Sequence, residues 1–87
     1  MIKYVIVLNY FRLGDTKTYE QCMYSSTDPT NITSWLKLTE KVQSRYSHVG
    51  MPKAYSKQDF KNYPTLRASL EEKREDFYEI KEIADVS

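Results

Sequence analysis

Ten consecutive positions, Ile2 to Phe11, hold the densest apolar run in the chain, and β-branched and aromatic side chains dominate it. A turn signal, Gly14-Asp15, follows closely. A run of this length reads as a strand buried on both faces rather than as a helix. At a sheet edge so apolar a strand would template aggregation. The run therefore belongs inside a sheet, with a neighbour on each side.

The remaining segments are read around that strand. Thr18–Ser25 alternates more polar side chains and suits an antiparallel return strand with one wetter face. Ser26–Asn31 is rich in capping residues and opens a helix predicted over Asn31–Tyr46. Ile32, Trp35, Leu36, Thr39, Val42 and Tyr46 recur at helical spacing as its inner face, and Leu38 widens it. Trp35, central in that stripe, is the expected anchor between helix and sheet, and Gly50 suits the helix end.

Met51–Tyr55 reads as a connector. Ser56 with Asp59 three residues on predicts a capped short helix to about Asn62, and Pro64 ends it or opens the next. The last third fits either one long helix or a helix over Thr65–Arg74 followed by a strand over Asp76–Val86. The second reading is adopted, because the first strand is too apolar to lack a partner on either side. The expected fold is α+β: one domain over residues 1–87, with an antiparallel sheet of about three strands and the first strand central. One main amphipathic helix packs on a face, with one or two shorter helices beside it.

Catalytic templates find few residues to fill them. His48 is the single histidine and Cys22 the single cysteine, so two-histidine zinc motifs and disulfide frameworks are excluded. Gly14 and Gly50 are the only glycines, too few for a phosphate-cradling loop. A Cys22–His48 nucleophile pair lies in unrelated segments, with no helix N-terminus to activate the thiol. No enzyme activity, metal or cofactor is expected. The first run lacks a charged leader and is about half of a bilayer span. The expected setting is a cytoplasm, that of a host cell included, with no membrane partner.

Charge is distributed unevenly. Residues 1–64 hold nine Lys/Arg against five Asp/Glu, and residues 65–87 hold four against seven. Lys37, Lys41 and Arg45 stack at i, i+4, i+8 on one helix side, and Lys53, Lys57 and Lys61 repeat the spacing. With Tyr46 and Tyr55 nearby, these rows are candidate contacts for a protein or for nucleic acid, cations meeting phosphates and rings meeting bases. Solvated helix faces are commonly charged in this way too. Glu71, Glu72, Glu75 and Asp76 form the opposing acidic surface.

Eight tyrosines in 87 residues add ring area of the kind that interfaces use, although a small sheet also covers itself with tyrosine. A dipolar surface suits steering toward a charged partner. The expected partner is a larger protein or ribonucleoprotein complex. A small nucleic-acid-binding module using the basic helix face is the alternative. A homodimer through the tyrosine-rich Thr18–Ser25 edge is a further available arrangement.

No motif in the chain matches a family. The profile of a tiny, Gly-poor α+β chain without a catalytic set resembles bacteriophage and mobile-element accessory proteins, including anti-CRISPR inhibitors of host defence. The resemblance rests on size and composition alone, so it transfers no functional residues.

Overall fold

The structure is a computed structural model that describes the backbone of residues 1–46 and 52–84 and the side chains of 1–42 and 52–84. It is α+β. Strands β1 (Ile2–Phe11), β2 (Thr18–Ser26), β3 (Ala54–Ser56) and β4 (Phe77–Ala84) form one mixed sheet in the order β2-β1-β4-β3. Helices α1 (Pro29–Tyr46), α2 (Lys57–Asn62) and α3 (Leu66–Lys73) cover it.

β1 is interior, as its composition requires. It pairs antiparallel with β2 on one side and with β4 on the other, from Ile2↔Ala84 to Asn9↔Phe77. Ile6 is fully buried, and Val7, on the opposite face, is nearly so. The last segment is therefore helix then strand, and β4 supplies the second neighbour that β1 needs.

The sheet has four strands where about three were expected, and one of its pairings is parallel rather than antiparallel. Ala54 and Tyr55, read as connector, and the cap residue Ser56 pair parallel with Tyr78–Ile80 as β3. Three residues are too few to show a hydrophobic period, so only the tertiary partner makes this segment a strand.

Side chains alternate across β1. Tyr4, Ile6 and Leu8 meet α1 on one face, in a cluster with Ile32, Trp35, Leu36, Tyr24, Tyr78, Ile80 and Ala54. Asp28 caps the helix, its Oδ1 accepting from the Thr30 amide at 2.9 Å, and Pro29 takes the first turn, where no amide is needed. Trp35 stacks on Tyr24 at 6.1 Å and meets Tyr78 edge-on at 5.6 Å. Only half-buried, it still ties the helix to β2 and β4.

The other face is covered by α2 and α3. Tyr55, Phe60 and Phe77 form a three-ring cluster with centroids 5.8–6.2 Å apart. The Arg67 guanidinium lies over Phe60 at 4.9 Å and Phe77 at 5.7 Å, and it pairs with Glu79. Asn9, wholly buried, donates from Nδ2 to Glu79 at 3.4 Å, a long bond, and its Oδ1 has no partner among the described residues. Ser56 and Asp59 form the expected capping box at the start of α2.

Two outcomes follow from this packing. Trp35→Ala should lower stability by about 3 kcal/mol, seen as a reduced urea midpoint, because both ring contacts are lost and a cavity remains. Burial raises the Tyr78 phenol above the ordinary tyrosine range. The unfolded chain then ionises this group at lower pH than the folded one. Its contribution is whole below the unfolded value and is lost as pH rises toward the folded one. Alkaline unfolding should shift to higher pH in Tyr78→Phe, as followed by circular dichroism.

Candidate functional site

α1 packs over β1 and β2, and its Trp35 reaches Tyr78 on β4. Its first half is thereby spent on the core, with Ile32 buried and Trp35, Leu36 and Thr39 half-buried.

Two apolar positions of α1 are less covered than their spacing predicts. Val42, expected in the core, is 50% exposed, and Leu38, expected to widen the core face, is 63% exposed. The two stand one turn apart along a flank of α1. Lys37 and Lys41, also one turn apart and exposed, run beside them on the outer side. This second half of α1 thus presents an aliphatic pair bordered by cations. The third cation of the row, Arg45, and Tyr46 lie in the last turn, and their side chains fall outside the described residues, as does His48.

The second basic row does not join the first. β3 interrupts the helical spacing, so Lys53 is separated from Lys57 by an extended segment of about 13 Å and does not stack with it. Lys57 and Lys61 are exposed on α2, which packs on the sheet face opposite α1. Tyr55 turns its ring into the cluster with Phe60 and Phe77, where it supports α2 instead of offering a free stacking face.

The acidic candidates also divide. Glu71 pairs with Arg67 at 3.7 Å, and an Asp76 carboxylate oxygen accepts from the Phe11 amide at 3.1 Å. Both residues are nonetheless exposed, as are Glu72 and Glu75. Cys22 is exposed on β2. Among the described residues no group of three or more His, Cys, Asp and Glu stands close enough to hold a metal. None of their helices is long and apolar enough to cross a membrane.

β2 forms the long edge of the sheet. A bulge between Tyr24 and Cys22 breaks its alternation, and the charged Glu20 stands at its middle, ion-paired to Lys81 at 3.8 Å. Both features blunt an edge. Self-pairing along the full strand would set side chains of opposite faces against one another.

One cluster was not legible in spacing. At the hairpin end Tyr10 and Tyr19 face each other in register and stack at 5.5 Å, and the Arg12 guanidinium lies 4.3 Å from the Tyr19 centroid. Lys17 approaches the same ring at 5.6 Å. Tyr19 donates its hydroxyl to Asp15, which raises its ionisation above the ordinary phenol range. Only the strand register, fixed by the turn, brings these residues together.

Comparison with family models, curated proteins and solved structures finds no match to the chain or to its fold.

If the outer half of α1 is free of the core, its apolar pair is dispensable for folding. Leu38→Ser and Val42→Ser should each change stability by no more than about 0.5 kcal/mol in urea titration. Ile32→Ser, one to two turns earlier, should unfold the domain.

Proposed function

We propose that this chain is a non-enzymatic protein-binding module, an inhibitor or adaptor that lays the outer half of α1 into an apolar, acid-rimmed groove of a larger protein or ribonucleoprotein complex. The observation that carries this reading is the exposed pair Leu38 and Val42 beside Lys37 and Lys41. An exposed aliphatic pair one turn apart on a helix flank is the kind of surface that a helix-in-groove partner covers. Burying two such aliphatic side chains contributes roughly 1.5–3 kcal/mol each, enough to dominate a small interface.

The same observation weighs against nucleic acid as the direct ligand. Bases stack on aromatic rings, and among the described residues the side chains bordering Lys37 and Lys41 are the aliphatic Leu38 and Val42. The two lysine rows lie on opposite sides of the sheet, so no single groove collects them. Small size and the resemblance to phage and mobile-element accessory proteins suit an inhibitor of a host nucleic-acid-handling or defence complex, anti-CRISPR-like, acting in the host cytoplasm.

The test is affinity capture from lysate of the host cell, run beside mobility shifts with single- and double-stranded DNA and RNA. One stoichiometric protein complex is expected on the tagged chain, with no shift at physiological salt. The double variant Leu38→Asp/Val42→Asp should lose at least about tenfold in affinity for the captured complex. Tight, steeply salt-dependent shifts with an empty capture would replace this reading with direct nucleic-acid binding.

A further inference from the structure

The structure assigns a second docking element to the β1–β2 hairpin tip. Leu13 is a rigidly presented side chain that enters an apolar pocket of a protein partner, and carboxylates on that pocket's rim meet Arg12 and Lys17. The inference rests on the protein-binding reading above and adds a contact on a separate part of the surface.

Leu13 is fully exposed, at 106% of its reference area. An isolated exposed leucine is unremarked on protein surfaces. What distinguishes this one is the bracing of the turn that carries it. The turn closes through the Asp15 amide, which donates to the Arg12 carbonyl at 3.1 Å, and Gly14 adopts φ +84, open to glycine and strained for other residues. On one sheet face Arg12 is held over the stacked Tyr10 and Tyr19, and Tyr19 is held by Asp15. At the base of the turn, Asp76 accepts from the Phe11 amide.

The most telling brace comes from Arg74. It sits at the end of α3 with φ 55, ψ 41, the left-handed conformation that a helix C-terminus ordinarily gives to glycine. A non-glycine residue there is strained, and such strain persists where the side chain has a task. The Arg74 guanidinium reaches across to donate to the Arg12 carbonyl at 2.8 Å and lies 5.6 Å from the Phe11 ring centroid. Hairpin tips are ordinarily among the loosest parts of a fold. Here Tyr10, Arg12, Asp15, Tyr19, Arg74 and Asp76 all brace the turn or its base beneath one exposed leucine. Rigidity of that kind lowers the entropy lost on binding.

The charges define the partner's rim. Arg12, Lys17 and Arg74 surround the tip, and the nearby carboxylates of Asp15 and Asp76 are each engaged within the protein. Cations bordering an apolar side chain fit a pocket bordered by Asp and Glu, and they oppose a basic one.

The test uses the complex recovered on the intact chain and measures its affinity for variants by biolayer interferometry. Leu13→Asp should weaken binding at least about tenfold and Leu13→Met by less than about threefold, with melting temperatures unchanged. Arg74→Gly fits the backbone and keeps the fold, yet it removes the brace, and it should weaken binding about three- to tenfold. Photo-leucine at position 13 should crosslink to a partner peptide carrying Asp or Glu. Binding of Leu13→Asp within about threefold of the parent overturns the finger and leaves the α1 reading standing. Loss with Leu13→Asp but not with Leu38→Asp/Val42→Asp keeps the finger and overturns the α1 surface. An empty capture with the intact chain overturns both.

Discussion

The burial of β1 between two antiparallel neighbours is the constraint on which the molecule depends. A strand of this composition has no stable place at an edge, so β2 and β4 must both pair with it, although the second lies some seventy residues away in sequence. That long closure carries an entropic cost, which grows only slowly with loop length. It is offset where Ile6, Ile32 and Tyr78 meet. The intervening segments then have little choice: α1 must cross one face, and α2 and α3 must cover the other.

The two faces are held by different physics. Under α1 the contact is aliphatic and aromatic, with Trp35 between Tyr24 and Tyr78. Under α2 and α3 a charged group does the joining: Arg67 stacks on Phe60 and Phe77 and pairs with Glu79, which Asn9 also approaches. A guanidinium suits this role because its planar face tolerates rings while its edge meets carboxylate. The buried Asn9 oxygen has no partner there among the described residues. A polar contact on this face is satisfied in one strand register and lost in a slipped one, whereas aliphatic packing tolerates several.

Function, in the reading proposed above, uses what the core leaves over. α1 leaves Leu38 and Val42 half exposed or more, and a hairpin braced by Arg74 and Asp76 holds Leu13 outward. Neither feature contributes to packing. Both are apolar groups bordered by cations, so both address the same kind of partner surface.

The strongly patterned segments were legible in the sequence. The interior place of β1, the return strand β2, the α1 periodicity and the Ser56–Asp59 capping box each follow from local spacing, because period and capping are properties of neighbouring residues. The basic positions Lys37 and Lys41 were readable for the same reason. Other features required the fold. Three residues acquired strand character as β3 only from β4, and that strand broke the apparent Lys53–Lys57–Lys61 row. Val42 fits the helical stripe perfectly well, yet it is half exposed and stands outside the core cluster. Tyr55 turns into a ring cluster, while Glu71 and Asp76 stay exposed and also pair with Arg67 and the Phe11 amide, contacts that only the fold supplies. The sequence by itself determined which segments carry an apolar face. Only the tertiary structure decided how much of each face is covered, because coverage depends on where the chain's distant elements end in space.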